Sequence, residues 1–211
     1  MAQYFEIHPL NPQPRLLQQA VDILQHGGVL AVPTDSSYAL VCHLDDKHSV
    51  DRLRRIRQIN DKHHLTLLCR DLSELANYAR VDNRQFRLMK LGTPGPYTFI
   101  LDATKEVPRR VSHPARKTIG LRVPEHKGLQ QLLELHGTPL LGTTLIAPDD
   151  TEPLNDPEDI SERFDKLLDG IVDAGACPMQ PTTVLDLTPM YTGGDALLVR
   201  QGQGDLQALG L

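Results

Sequence analysis

Four segments put hydrogen-bonding side chains just beyond short apolar runs. Val29–Pro33 is followed by Thr34-Asp35-Ser36-Ser37, and Pro139–Thr143 runs into Thr144. Gln180-Pro181-Thr182-Thr183 opens a further apolar run, and Arg200-Gln201-Gly202 closes the last. Loops at strand ends are where α/β sheets hold ligands, because a rigid scaffold positions them and water reaches them. Thr and Ser hydroxyls there donate to phosphate or accept from an amine; they also satisfy turn backbones, which is their commoner use. Arg55-Ile56-Arg57 adds two guanidinium groups, the side chains suited to a bidentate grip on phosphate. Two residues apart on a helix they point to different sides, and they converge only if the helix ends near Arg57, as Ile59-Asn60-Asp61 permits. The alternative for this pair is a solvated helix end whose positive charge complements the C-terminal dipole.

The charge distribution favours an anionic ligand. The 211 residues carry a net charge of −5, yet the bases are gathered into two segments. Asp51–Arg70 holds Arg52, Arg54, Arg55, Arg57, Lys62 and Arg70 against Asp51 and Asp61; Lys105–Arg122 holds Lys105, Arg109, Arg110, Arg116, Lys117 and Arg122 against Glu106 alone. Between Asp149 and Asp173 ten acids face only Arg163 and Lys166. A net acidic chain built this way can present a local positive field to a phosphate, although charge runs are also solvated faces. Other chemistries lack their motifs: there is no HExxH, no Cys/His ligand spacing, no Gly-x-Ser-x-Gly, no GxGxxG and no Walker A loop. Aromatic content of 4% without Trp argues against a stacking platform for single strands.

The elements that must position these residues alternate between helix and strand patterns, with no repeat or linker. Helical stripes run over Pro14–His26 (ended by Gly27-Gly28), Lys47–Gln58, Asn83–Leu91, Gly128–His136 and the acidic Pro157–Leu168. Asp71 with Glu74 reads as a capped helix start. Strand patterns cover Val29–Pro33, Leu65–Cys69, Tyr97–Leu101, Thr118–Val123, Pro139–Thr143, Thr183–Leu187 and Ala196–Arg200. Some eight strands with about six helices imply one α/β domain over residues 1–211, an open, twisted, mixed sheet with flanking helices. No window approaches the roughly 18 apolar residues of a membrane span, and Met1–Pro14 lacks an apolar signal core. The scattered Cys42, Cys69 and Cys177 suggest buried thiols in a reducing compartment, so the cytosol is the expected location.

Seven segments, in order, carry a family likeness: Val32-Pro-Thr-Asp-Ser-Ser-Tyr38, Arg55-Ile-Arg57-Gln58, Pro94-Gly-Pro-Tyr-Thr-Phe99, Thr118-Ile-Gly-Leu-Arg-Val-Pro124, Leu141-Gly-Thr-Thr144, Pro181-Thr-Thr-Val-Leu-Asp-Leu187 and Val199-Arg-Gln-Gly202. The chain resembles the YrdC/YciO family of tRNA-threonylcarbamoyladenosine biosynthesis proteins over about residues 14–202, and most nearly its YciO branch. The resemblance implies a YrdC-like α/β-twist fold with a basic concave surface. It implies an activity that joins L-threonine, bicarbonate and ATP, with Mg²⁺, into threonylcarbamoyl-AMP and diphosphate, and an association with double-stranded RNA or tRNA. By matched position, Thr34, Thr118, Arg122 and Thr182 would surround the threonine; Arg57, Thr144 and Arg200 would lie near the nucleotide, with Arg55 at the first basic position of the family's Lys-x-Arg. No catalytic base is identified.

The chain departs from the family's pattern at three places, two of them on the nucleotide side. Arg55 stands where the family has Lys, Thr144-Leu-Ile146 where it has Ser-x-Asn, and Leu67-Leu68-Cys69 where a histidine is usual. Losing one polar contact in a buried site costs about 1–3 kcal/mol, roughly tenfold to a hundredfold in affinity. Two readings therefore stand: a threonylcarbamoyl-AMP synthase of weak turnover, and a module that binds double-stranded RNA or tRNA without efficient adenylation.

Overall fold

A computed structural model describes residues 1–115 and 117–211; Arg116, a member of the second basic segment, lies outside the described residues. In chain order the elements are β1 (Gln3–Glu6), α1 (Pro14–Gln25), β2 (Val29–Pro33), β3 (Tyr38–His43), α2 (Lys47–Arg57), β4 (Thr66–Leu68), α3 (Leu72–Tyr78), α4 (Asn83–Leu91), β5 (Tyr97–Asp102), β6 (Thr118–Arg122), α5 (Lys127–His136), β7 (Leu140–Thr144), α6 (Pro157–Phe164), β8 (Gly170–Asp173), β9 (Thr183–Asp186) and β10 (Leu197–Arg200). The fold is mixed α/β, with both parallel and antiparallel strand pairs. Its residues divide into two compact units, Met1–Asn60 with His126–Met179, and Asp61–Glu125 with Gln180–Leu211.

In the first unit the strands lie in the order β1-β8-β2-β3-β7. β2 pairs in parallel with β8 and antiparallel with β3, whose other edge carries β7. A strand flanked on both sides and covered on both faces has no solvent side, so all five residues of β2 are buried and the sequence reads as a continuous apolar run. α1 presents Leu17, Ala20, Val21 and Leu24 to the core, the buried Leu and Val side chains each contributing about 1.5–3 kcal/mol. Its end falls at Gly27, whose φ of +83° is a conformation glycine adopts without penalty. α2 starts on Asp46, whose carboxylate accepts from the amides of His48 and Ser49.

In the second unit the order is β4-β6-β5-β9-β10. β6 pairs in parallel with β4 and antiparallel with β5, β5 pairs in parallel with β9, and β9 antiparallel with β10. α3 starts on Asp71, which accepts from the Glu74 amide at 2.7 Å while the Glu74 carboxylate reaches back to the Arg70 amide at 2.8 Å. α4 starts on a reciprocal Asp82–Gln85 box.

Three strands, β1, β3 and β8, have no counterpart in the pattern reading. β1 and β8 are four residues each, and β8 sits inside the acidic stretch. β3 follows a tight turn so closely that its apolar run reads as part of the loop motif. Among the described residues no helix is long and apolar enough to cross a membrane.

Candidate functional site

In the first unit the turn joining β2 to β3 is organised by one hydroxyl. Thr34 Oγ1 donates to the Ser37 carbonyl at 2.6 Å and accepts from the amides of Ser36 at 3.0 Å and Ser37 at 3.2 Å. It also lies 3.1 Å from Ser36 Oγ. This hydroxyl, on a residue 1% exposed, is spent on backbone.

The end of β7 pairs beside the start of β3, with Thr144 opposite Ala39. Here Arg57, the last residue of α2, donates from Nε to the Thr144 carbonyl at 2.7 Å and from Nη1 to the Ile146 carbonyl. Arg57 is buried, and burial holds its guanidinium pKa below the ordinary value. Arg57 and Thr144 are thus brought together, through a main-chain oxygen and not through the Thr144 hydroxyl. Arg55 goes elsewhere: α2 ends at Arg57 with Gln58 in the left-handed region (φ 51°), and Arg55 is exposed on the helix flank, its Nε 3.4 Å from the Asp51 carbonyl. The two arginines do not converge, because two residues turn a helix by about 200°.

Two further groups lie near this turn, a cysteine expected from sequence to be buried and a histidine not singled out from it. Cys177 lies against the Thr34 backbone; burial pushes its thiol up to about 12, so it is a packed, unreactive sulfur. His126 caps α5 by accepting from the Leu129 amide at 3.2 Å, and burial lowers its pKa against an opposing pull from Asp35. No sequence signal joins them to Thr34, since both are distant in the chain.

In the second unit the alternation of Thr118-Ile119-Gly120-Leu121-Arg122 sends Ile119 and Leu121 into the apolar core and leaves Thr118, Gly120 and Arg122 on the other face. Register puts neighbours on that same face. Thr66 of β4 and Ile100 of β5 lie opposite Gly120, Thr98 lies opposite Val184 of β9, and Arg200 of β10 lies opposite the same Val184. Four sequence-predicted residues, Thr118, Arg122, Thr182 and Arg200, therefore share one sheet face. Arg200 donates to Thr182 Oγ1 at 3.2 Å and to the Thr182 carbonyl at 3.0 Å, and Thr182 Oγ1 lies 3.1 Å from Thr98 Oγ1. Burial lowers the Arg200 pKa.

The middle residue of this strand face carries no side chain. Gly120 stands two residues from both Thr118 and Arg122, about 7 Å along the strand in each direction. A Cβ at position 120 would fall 3.0 Å from Thr66 Oγ1 and 3.4 Å from Thr98 Cγ2, so glycine is what lets those two threonines close in. Thr118 is 4% exposed, and its Oγ1 is buried with no hydrogen-bond partner among the described residues. An unsatisfied buried hydroxyl costs about 1–3 kcal/mol, a cost expected where a ligand supplies the missing partner. Thr66, Thr98 and Gly120 were missed from sequence; the period-2 pattern of Thr118–Arg122 was the available signal, but the neighbours depend on register.

The family model for Sua5, YciO and YrdC proteins, described as "Telomere recombination", matches residues 22–202. The chain is 52% identical over 207 residues to YciO of Escherichia coli strain K12, an uncharacterized protein, covering 98% of each. The crystal structure of E. coli YciO superposes with a TM-score of 0.93 at 51% identity, covering 99% of this chain and 100% of that one. A threonylcarbamoyl-AMP synthase of Vibrio vulnificus strain YJ016 is 31% identical over 139 residues, 64% of this chain and 74% of the synthase. The fold also matches that of P. abyssi Sua5 complexed with L-threonine, with a TM-score of 0.85 at 22% identity, over 94% of this chain and 57% of that one.

Proposed function

The chain belongs to the Sua5, YciO and YrdC family, and on that premise we propose that it is a threonylcarbamoyl-AMP synthase homologue of modest turnover. The observation that carries this reading is the buried Thr118 hydroxyl, unpartnered among the described residues, two residues from Gly120 and four from Arg122 on the same strand face. In the proposal L-threonine turns its carboxylate toward Arg122 and its hydroxyl toward Thr118. Thr182, held by Arg200, borders the same face.

The threonine nitrogen attacks the bicarbonate carbon, water leaves, and a carbamate forms. A carbamate oxygen then attacks the α-phosphorus of ATP, the bond to the β-phosphate oxygen breaks, and diphosphate departs. Preorganised cations and hydroxyls neutralise the charge that gathers on those oxygens. In the first unit Arg57 and Thr144 are the groups proposed for the nucleotide. The described residues contain no cluster of three His, Cys, Asp or Glu able to hold a metal, so Mg²⁺ enters this proposal only as the partner of ATP phosphates.

Modest turnover is expected because two N–H groups of Arg57 already serve backbone carbonyls and Ile146 offers no polar side chain. The test is calorimetric titration with L-threonine, together with diphosphate release in the presence of ATP, bicarbonate and Mg²⁺. We expect both to be measurable, with Thr118→Val weakening L-threonine binding about tenfold. A chain that neither binds L-threonine nor releases diphosphate ends this reading.

The bracing role of Arg57 favours a second reading, a module for double-stranded RNA or tRNA without efficient adenylation. In that case duplex RNA is bound with a steep salt dependence, diphosphate release is absent, and Arg55→Ala flattens the salt slope by about one.

A further inference from the structure

A groove of about 550 Å³ runs along the outer flank of the first unit, between the α2 flank, the Ala147-Pro148 segment and the end of α6. Its charged lining is entirely basic: Arg52 and Arg55 from α2, Arg163 and Lys166 from α6 and the residues after it. The source of the last two is informative. Asp149–Asp173 contains ten carboxylates and two cations; both cations line the groove and none of the carboxylates does. The dipole of α2 accounts for basic residues in its last turn, but not for cations delivered to the same hollow by an acidic segment about 110 residues away.

Two of the four are neutralised from outside the lining. Arg52 pairs with Asp169 at 2.5 Å and donates to the Leu167 carbonyl, and Arg163 pairs with Asp150 at 2.7 Å. Arg55 and Lys166 have no carboxylate partner among the described residues. Between the cations, buried Ile56 and Phe164 form an apolar floor, and Leu167, 46% exposed, forms its rim. Arg55 is the one residue that this groove shares with those the family likeness places near a nucleotide; Arg57, Thr144 and Thr34 do not line it.

From this geometry we infer that the groove is a second anion site, which takes a phosphate ester with its phosphate on Arg55 and Lys166 and an apolar or planar portion over Ile56 and Phe164. The volume falls in the ordinary range for small-ligand sites, about 300–1,000 Å³. The phosphate can come from a mononucleotide or from a polynucleotide backbone.

The test is amide chemical-shift mapping of the full ¹⁵N-labelled chain at low salt, titrated separately with inorganic phosphate, AMP and a duplex RNA of about 16 base pairs. AMP is expected to give saturable shifts at Ala147, Phe164 and Leu167, and the paired change Arg55→Gln with Lys166→Gln to weaken its binding about tenfold or more. Both side chains are exposed, and the variant's own spectrum reports whether its fold is kept. Shifts at those amides with the duplex but not with AMP assign the phosphate to a polymer backbone. No saturable shift there with any of the three probes, or shifts unchanged in the double variant, overturns the inference. L-threonine binding and diphosphate release are read separately, so either site can fail without the other.

Discussion

Thr34 and Thr118 are the same residue type, almost equally buried, in opposite conditions. In the first unit the Thr34 hydroxyl donates once and accepts twice, all to the backbone of its own turn. In the second, Thr118 Oγ1 has no partner among the described residues. The arginines differ in part: Arg57 donates to two main-chain carbonyls, whereas Arg200 donates to the Thr182 carbonyl and also to the Thr182 hydroxyl. A buried polar group that is satisfied internally stabilises the protein; one left open costs stability and offers a ligand its first hydrogen bond. Where polar residues cluster, the state of their hydrogen bonds separates scaffold from site better than residue type does.

The largest effect expected from this contrast is at Arg57. Arg57→Ala removes two charge-assisted hydrogen bonds and leaves the Thr144 and Ile146 carbonyls unpaired, a loss of about 2–4 kcal/mol. Thermal unfolding should show it, with faster amide exchange concentrated in the first unit. An unchanged Tm would mean that Arg57 does not brace β7.

A matched pair of substitutions follows. Thr34→Val should destabilise by about 1–2 kcal/mol, because two turn amides lose their acceptor. Thr118→Val, nearly the same in shape, should raise stability by about 1 kcal/mol while weakening L-threonine binding, since it removes an unsatisfied hydroxyl. Shifts in Tm of the same sign in both variants would erase the distinction between the two units.

The smallest effect is on pH dependence. In the first unit His136 is buried, 3.2 Å from His43 and 2.9 Å from the Thr138 carbonyl. Burial lowers its pKa, the Thr138 carbonyl opposes this, and His43 lowers it further; burial also lowers His126. The unfolded chain, with histidine near pH 6.5, therefore binds these protons more readily than the folded one. Their stabilisation is complete above about pH 6.5 and is lost as the pH falls below it. In the second unit burial raises Glu74, which contributes in the reverse direction: its share of stability is present at low pH and is lost as the pH rises through its folded value. Acidification from pH 7 to 5 should accelerate amide exchange in the first unit before the second. The opposite order would show that other groups govern acid stability.

Much of the fold was legible because its causes are local. The α1 stripe, the Gly27 terminator and the Asp71–Glu74 cap each depend on residues within a few positions of one another. The face shared by Thr118, Gly120 and Arg122 was legible in part, as a strand of period two. Its membership was not, because Thr66, Thr98 and Thr182 arrive by register with three other strands. The divergence of Arg55 from Arg57 was left open by the sequence and decided by where α2 stops and what its last turn touches.

The sequence by itself determined the alternation of helices and strands, the caps that bound them, the family, and the gathering of bases into two segments. Those depend on periodicity, short-range hydrogen bonds and motif order. Only the tertiary structure decided which polar groups are spent and which stand open. The partners that satisfy Arg57 lie 87 and 89 residues away, and the cations that meet Arg55 come from an acidic segment on the far side of the chain. Hydrogen-bond satisfaction is a property of contacts between distant segments, so residue types and spacings propose a site while packing determines its chemistry.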